Sequence, residues 1–238
     1  MELQDICTLA QDVCVLIRYL WVLRSLKMKI VTTSNSVILN DVHNFDLSQT
    51  FDCGQCFRWE KINDSYQGVA LGKPLCITQK NTDIVFNNTS YEEFDTLWKN
   101  YFDLNTDYAE IWNDIGNKTS FLIDAYNYAP GIRILRQDPW ETLCSFIISQ
   151  NNNIPRIKKI ISRLCKLFGK KIENTEFFSF PDAYTLALLN ESDLEPIKAG
   201  FRSKYILDAA KKVADKKIDL NSLFELSTEE AAEVLMSI

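Results

Sequence analysis

The sequence contains a single histidine, His43, which leaves few ways of building a metal site. Cys53 and Cys56 form its one C-x-x-C pair, and a structural zinc would need two further ligands that no second C-x-x-C supplies. A thioredoxin-like redox pair would place Cys56 on a helix, whereas the following Phe57-Arg58-Trp59 is typical of a strand. We therefore expect neither zinc nor redox chemistry, and no cofactor.

The chain also lacks an excess of positive charge, since 26 Lys and Arg residues against 32 Asp and Glu give a formal net charge of -6. An acidic total argues weakly against a nucleic-acid partner, because phosphates are bound by Lys and Arg. The total is a global sum, however, and an acidic protein can carry a locally basic binding face. The distribution of charge along the chain is therefore more informative about a nucleic-acid partner than the net charge is.

The seven cysteines are odd in number and irregularly spaced, which does not fit a disulfide framework in a chain of 238 residues. We expect free thiols in a reducing compartment, which would be the cytoplasm of a prokaryote or the nucleus of a eukaryote.

An apolar run over residues 13–26 is interrupted by Arg18 and Arg24, and it is too short and too charged to span a bilayer. No basic segment precedes it and no small-residue cleavage site follows, so it is a poor signal peptide. We expect residues 1–27 to be a peripheral helix or an over-extended gene start, and we expect no membrane partner.

Short apolar and alternating runs between Ile30 and Asn88, separated by turn residues, predict an antiparallel meander. From Ser90 onward the pattern is helical. Asp138 and Pro139 begin the clearest helix, with Glu141 completing a capping box, and a second helix runs over about 154–168 and ends at Gly169. Further helices are expected near 181–189, 191–198, 202–217 and 228–238. The fold class is therefore α+β, with a sheet domain over 28–133 that includes the first helices and a helical domain over 134–238.

The last predicted helix ends on Val234, Leu235 and Ile238, with no Gly, Lys or Pro to close it. A domain rarely ends on an uncapped apolar turn, so we expect the helical domain to be incomplete at its C-terminal end.

Three consecutive asparagines, Asn151, Asn152 and Asn153, separate two apolar helices. They could form a polar turn, because Asn tolerates left-handed geometry, or they could present amides to DNA bases, because an amide both donates and accepts. The helix that follows favours the second interpretation, since residues 151–171 contain seven Lys and Arg and no acidic residue.

Phe201 lies beside Arg202 and close to Lys204 at the start of another predicted helix. An aromatic residue beside two cations suits a wedge that enters a base stack where a nucleotide has been extruded. The alternative is that Phe201 is an ordinary core residue.

Four blocks resemble, in order and spacing, those of 8-oxoguanine DNA glycosylases of the helix-hairpin-helix superfamily. They are Gly54-Gln55-Cys56-Phe57-Arg58-Trp59, which matches G-Q-x-F-R-W, and residues 135–139, 149–156 and 200–205. The resemblance covers about 31–238. It implies a TBP-like sheet domain followed by a helix-hairpin-helix glycosylase domain. It also implies a monomeric enzyme that flips 8-oxoguanine, opposite cytosine, out of double-stranded DNA.

The resemblance implies roles for the matching positions. Gly54 corresponds to the glycine whose carbonyl reads the proton on N7 of 8-oxoguanine, and Asn151 to the residue that fills the space left by the flipped base. Arg156 and Arg202 correspond to the pair that hydrogen-bonds the orphaned cytosine, and Phe201 to the wedge.

In that family a catalytic lysine and an aspartate follow the helix that matches 233–238, so the resemblance places the catalytic residues beyond Ile238. Lys204, Lys211 and Lys212 lie outside the required hairpin context. We therefore expect the isolated chain to lack glycosylase and lyase activity. Two alternatives stay open. One is a non-catalytic damaged-DNA-binding fragment, and the other is an alkylated-base glycosylase of the same plan, against which the G-Q-x-F-R-W block argues.

Overall fold

The computed structural model describes residues 29–116 and 118–238, so the predicted extension over 1–27 lies outside the described residues. The N-terminal part is a six-stranded antiparallel sheet with the strand order β1-β2-β6-β5-β4-β3. The strands are β1 Lys29–Thr32, β2 Ser36–Asn40, β3 Trp59–Ile62, β4 Ser65–Ala70, β5 Lys73–Lys80 and β6 Asp83–Asn87.

The predicted meander is right for the pair β1–β2 and for β3 to β6, and wrong for the step from β2 to β3. β2 pairs with β6, so the chain passes to the opposite edge between β2 and β3. A helix that the sequence reasoning missed, α1 (Leu47–Asp52), lies in this crossing, and Asp46 caps it by accepting from the backbone N–H of Gln49 at 2.8 Å. Six residues are too few for a helical period to stand out from a strand pattern.

An aromatic core fixes α1 against the sheet and against the next helix, α2 (91–101), which has a π-helical segment over Phe94–Trp98. The ring of Trp59 stacks on Phe51 with centroids 4.3 Å apart, and its Nε1 donates to the hydroxyl of Tyr101 at 3.0 Å. Burying an indole with its N–H satisfied keeps its large apolar contribution without an unpaired donor. The strand that follows Gly54 is thereby anchored at Trp59.

The remaining chain is helical. Its α-helices are α3 Tyr108–Gly116, α4 Ser120–Tyr128, α5 Pro139–Ser149, α6 Ile154–Phe168, α7 Ala183–Ala187, α8 Arg202–Ala214 and α9 Thr228–Met236, with 3-10 turns at Glu191–Ile197 and Ser222–Glu225. Ile148 of α5, Ile160 and Leu164 of α6 and Ile206 of α8 are fully buried together in a second core. This α+β order confirms the predicted fold class.

Two local predictions about helix ends have different outcomes. The predicted end of α6 is confirmed, since Gly169 is its C-terminal cap. Asp138 does cap α5 through the N–H of Glu141 at 2.8 Å, but the predicted capping box is wrong. The Glu141 carboxylate accepts from Arg58 instead of closing the box, because α5 begins against the loop that carries Arg58. None of the helices within the described ranges is long and apolar enough to cross a membrane.

Candidate nucleic-acid interface

Gly54 lies in a tight loop beside the first residue of α6. Its φ of +90° is disfavoured for residues with a side chain. The position that a Cβ would take at Gly54 is 3.9 Å from Cδ1 of Ile154. The fold therefore brings the first of the four sequence blocks to the end of the asparagine-rich turn.

Gln55 holds this loop in place with every polar atom of its side-chain amide. Its Nε2 donates to the carbonyl oxygens of Thr50 at 2.9 Å and Arg133 at 2.8 Å, while its Oε1 accepts from the N–H of Leu135 at 3.0 Å. The side chain of Gln137 donates to the backbone oxygen of Gln55 at 2.7 Å. The loop is thus bonded to the segment that leads into α5.

Arg58 and Glu141 form an ion pair between the loop and α5, with 3.2 Å between Nη1 and Oε2 and side chains only 10% and 15% exposed. Arg58 also donates to the carbonyl oxygen of Phe178. Burial raises the pKa of Glu141 and outweighs the opposing effect of Arg58. On the other side of the loop, Lys158 of α6 donates to the carbonyl oxygen of Trp59 at 2.7 Å.

The three asparagines have different environments. The side chain of Asn152 donates to the carbonyl oxygen of Ile148 at 3.0 Å, and that of Asn153 caps α6 by accepting from the N–H of Arg156 at 3.0 Å. Asn151 is exposed in a left-handed conformation, with φ of +48°, and no hydrogen bond of its side chain is recorded among the described residues. Two of the three are therefore turn-forming residues, and one presents a free amide.

Arg202 has a different environment from the free side chain that a base-reading role suggests. It is 3% exposed, and its Nε donates to the carbonyl oxygen of Gln150 at 2.9 Å. Its Nη2 donates to the carbonyl oxygens of Gln150 and, at 2.9 Å, of Asn151, while Nη1 donates to that of Ala199 at 3.1 Å. The guanidinium thus joins the asparagine-rich turn to the turn that precedes α8.

Phe201 projects from the surface beside this guanidinium. Phe201 is 58% exposed, and the guanidinium carbon of Arg202 lies 4.5 Å from the ring centroid. The alternative that Phe201 is a core residue is therefore wrong. An exposed aromatic ring supported by a buried cation suits insertion between bases.

The seven positive charges near α6 divide into two groups. Lys158 and Arg163 donate to the carbonyl oxygens of Trp59 and Ile197, and Lys171 pairs with Glu176 at 3.7 Å. The other four have no ion-pair partner within the part of the chain that the structure describes: Arg156, Lys159, Lys166 and Lys170.

Arg156 differs from Arg202 in being exposed. Desolvation lowers the pKa of Arg202 from its ordinary value, and the nearby charge of Arg156 lowers it further. Neither arginine has a carboxylate partner among the ion pairs of the described residues. Two unneutralised cations whose charges affect each other, one of them 4.5 Å from an exposed aromatic ring, form a site that an anionic or acceptor-rich ligand would stabilise.

The residues that could bind a metal are few. No cluster of three or more His, Cys, Asp or Glu side chains suited to a metal occurs in residues 29–116 and 118–238. Cys53 and Cys56 are both free thiols, and burial raises the pKa of Cys56. The C-G-Q-C segment forms the loop that the side chain of Gln55 bonds to Thr50 and Arg133.

The structure brings most of the residues predicted for the site together, and it shows further residues that hold them and that the sequence did not indicate. Asn151, Phe201 and Arg202 form one bonded cluster, Arg156 lies close to it, and Gly54 lies beside α6. The missed residues are Gln55, Arg58, Gln137, Glu141 and Lys158. Three of them lie within the quoted blocks and two lie two residues beyond a block, but the letters alone did not indicate their partners.

Two family models match consecutive parts of the chain. The model described as the N-terminal domain of 8-oxoguanine DNA glycosylase matches residues 37–143. The model described as the HhH-GPD superfamily of base excision DNA repair proteins matches residues 144–234. The predicted domain boundary between 133 and 134 stays a prediction.

Curated proteins and solved structures give the same relationship. The chain is 30% identical to an N-glycosylase/DNA lyase of Saccharomyces cerevisiae over 74% of its length and 51% of the relative's. It is 31% identical to the N-glycosylase/DNA lyase OGG1 of Arabidopsis thaliana over 67% of its length and 46% of the relative's. It therefore spans about half the length of the curated relatives that it matches.

Among solved structures, the Clostridium acetobutylicum 8-oxoguanine glycosylase/lyase in complex with double-stranded DNA containing cytosine opposite 8-oxoguanine superposes with a TM-score of 0.83. The two sequences are 38% identical, and the superposition covers 88% of this chain and 73% of the other. This likeness extends over both the sheet and the helical part.

Proposed function

Because the chain belongs to the 8-oxoguanine DNA glycosylase family, we propose that its protein removes 8-oxoguanine from duplex DNA as a glycosylase with lyase activity. The residues of this chain bind the duplex around the extruded nucleotide. The observation that supports this most directly is the cluster of Asn151, Phe201 and Arg202, which presents a free amide and an exposed ring, and whose Arg202 senses the charge of the exposed Arg156. We also propose that the protein acts as a monomer, as the family resemblance implies.

Base extrusion explains why the cluster has this composition. The bond to be cleaved and the edge of the lesion are inaccessible in a stacked duplex, so the nucleotide must leave the stack. Phe201 enters the opened step and replaces part of the lost stacking. The Asn151 amide occupies the space left by the base, where it can both donate and accept.

Arg156 supplies the group that recognises the orphaned cytosine. Cytosine presents adjacent acceptors at O2 and N3, and a guanidinium carries several N–H donors in a fixed plane. Arg156 is exposed and its guanidinium has no recorded hydrogen bond among the described residues, so it can bind the base without breaking existing contacts. Lys159, exposed on the same helix, contributes phosphate binding.

Gly54 contributes to recognition of the lesion itself. Its carbonyl oxygen accepts a hydrogen bond from the N7–H that 8-oxoguanine has and guanine lacks. Gln55, the next residue, fixes the orientation of this carbonyl. Four hydrogen bonds tie Gln55 to the neighbouring segments. A discrimination that depends on one proton needs an acceptor whose position does not adjust.

The test is equilibrium binding of the 238-residue protein to three otherwise identical duplexes, carrying 8-oxoguanine opposite cytosine, 8-oxoguanine opposite adenine, and guanine opposite cytosine. We expect the tightest binding to 8-oxoguanine opposite cytosine. Binding should weaken with salt in all three, since phosphate contacts are common to them. Equal affinity for the three duplexes at physiological salt would overturn the proposed function.

A further inference from the structure

We propose that Lys158 is a positioning residue, which holds the Gly54 loop (residues 54–59) against α6 and thereby fixes the carbonyl that reads the lesion relative to Arg156. The inference rests on the proposed function and adds a residue to lesion recognition. It starts from the hydrogen bond of 2.7 Å that the Lys158 ammonium donates to the carbonyl oxygen of Trp59.

The Gly54 loop follows one face of α6. Ile154, the first residue of the helix, lies at the Gly54 end, since its Cδ1 is 3.9 Å from the position that a Cβ would take at Gly54. Lys158 lies at the other end, where it contacts Trp59. Positions four apart share a face of a helix, so Ile154 and Lys158 point to the same side, and the exposed Arg156 between them points away from it. The start of α6 therefore has the loop that reads the lesion on one side and the residue that reads cytosine on the other.

The carbonyl of Trp59 needs the donor that Lys158 supplies. Trp59 is 1% exposed and begins β3, which is an edge strand of the sheet. A buried carbonyl without a donor is unfavourable, and on the outer side of an edge strand no neighbouring strand provides one. Because the ring of Trp59 stacks on Phe51 in the aromatic core, the bond ties α6 to a residue that is itself fixed.

The ammonium of Lys158 faces the loop. Lys158 is half-buried, whereas Lys159 and Lys166 on the same helix are exposed. Its charge also lowers the pKa of the Cys56 thiol, in the middle of the loop, although burial raises that pKa by more. Lys158 is therefore engaged with the loop before any DNA is bound, in contrast to the neighbouring lysine that is free to bind phosphate.

The experiment compares three duplexes that carry, opposite the same cytosine, 8-oxoguanine, guanine or a tetrahydrofuran abasic-site analogue. A duplex with the analogue is called a vacated duplex. Lys158→Met keeps an unbranched side chain and removes the donor, and it is titrated as the 238-residue protein beside the unmodified one. Lesion selectivity is the affinity for the 8-oxoguanine duplex divided by that for the guanine duplex. Selectivity for the vacated site is the affinity for the vacated duplex divided by that for the guanine duplex.

Positioning predicts that Lys158→Met lowers lesion selectivity by about tenfold, because the Gly54 carbonyl loses its alignment with the N7–H. Selectivity for the vacated site should not change, since that duplex has no lesion base to read. Unchanged lesion selectivity, or an equal fall in both selectivities, would overturn the inference. Lys166→Met is the matched control, because it removes an exposed positive charge from the same helix and should change neither ratio.

A measurement on the unmodified protein covers the case in which Lys158→Met fails to fold. The ¹⁵N resonances of the lysine ammonium groups are followed as the guanine duplex is added. Positioning predicts that the signal of Lys159 shifts and that of Lys158 does not, because its ammonium stays on the Trp59 carbonyl. A shift for Lys158 as large as that for Lys159 would mean that Lys158 binds phosphate instead. If the unmodified protein shows no lesion selectivity, the proposed function itself fails and the inference with it.

Discussion

Nη2 of Arg202 donates a hydrogen bond of 2.9 Å to the carbonyl oxygen of Asn151, which lies 51 residues earlier in the chain. This contact joins the turn before α6 to the turn before α8. It makes the exposed amide of Asn151 and the exposed ring of Phe201 parts of a single surface. The position of this amide relative to the ring therefore depends on the geometry of both turns.

The first prediction separates base reading from phosphate binding on α6. Arg156→Ala should weaken binding to a vacated duplex by about tenfold opposite cytosine and much less opposite the other bases, because a good guanidinium–base contact contributes about 1–3 kcal/mol. Lys159→Ala should weaken binding to every duplex by a similar factor and lower the salt slope by about 1. Titrations at several salt concentrations check both. Indistinguishable profiles for the two variants would show that Arg156 contacts only phosphate.

The second prediction concerns the asparagine-rich turn. Asn153→Ala should lower the free energy of unfolding by about 1 kcal/mol, because it removes the N-terminal cap of α6. Asn151→Gly should change stability little and should remove most of the selectivity for a vacated site, because its side chain has no recorded partner in residues 29–116 and 118–238. Urea denaturation and DNA titration of both variants measure the two effects. The assignment fails if the two substitutions act alike.

The third prediction uses the pKa of Glu141, which burial raises above its ordinary value. Between the ordinary value, about 4.3, and the raised one, the folded protein binds more protons at this site than the unfolded chain, so the site's contribution to stability falls as pH rises. Glu141→Gln keeps an acceptor for Arg58 and removes the titration. The difference in unfolding free energy between the unmodified protein and this variant should therefore decrease as pH rises through that window and level off above it.

The control for this comparison is Glu60→Gln, which removes an exposed carboxylate from β3. Urea denaturation at closely spaced pH values gives the differences. A difference for Glu141→Gln that increases with pH would mean that Arg58 outweighs burial.

The fourth prediction tests how Gln55 holds the Gly54 loop. Gln55→Glu leaves the carbonyl oxygens of Thr50 and Arg133 without a donor and places a carboxylate beside them. We expect a loss of about 2–3 kcal/mol in unfolding free energy. The control is Gln67→Glu on β4, which makes the same exchange. The side chain of Gln67 is half-buried and has no hydrogen bond within the described residues, so the loss should be smaller. Equal losses from the two exchanges would remove the special role of Gln55.

The sequence predicted those parts of the fold that follow from local pattern. Asp138 before Pro139 and Gly169 after an amphipathic run predicted the bounds of two helices, because caps and periodicity are encoded within a few residues. The pairing of β2 with β6 was not predictable in this way, since it depends on which strands meet after α1 forms. The segment at 191–197, expected to be a helix, is a 3-10 turn with Pro196 inside it.

The candidate site shows the same contrast between features that a local sequence pattern predicts and features that depend on contacts between distant segments. The resemblance gave Arg156 and Arg202 one shared role, because both are arginines at matching positions. Only the fold distinguishes them, since Arg202 is buried against carbonyls contributed by residues 48 or more positions apart and Arg156 is exposed. Gln55 and Glu141 were equally out of reach, because their partners lie about 80 positions away in the chain.

The central claim is that this chain recognises the space left by an extruded base opposite cytosine. The most direct measurement is the ratio of its dissociation constants for two duplexes that differ at one position, an undamaged guanine–cytosine pair and a tetrahydrofuran abasic-site analogue opposite the same cytosine. The account predicts that the vacated duplex binds at least about tenfold more tightly at physiological salt, which corresponds to about 1.4 kcal/mol. Equal dissociation constants for the two duplexes would contradict it.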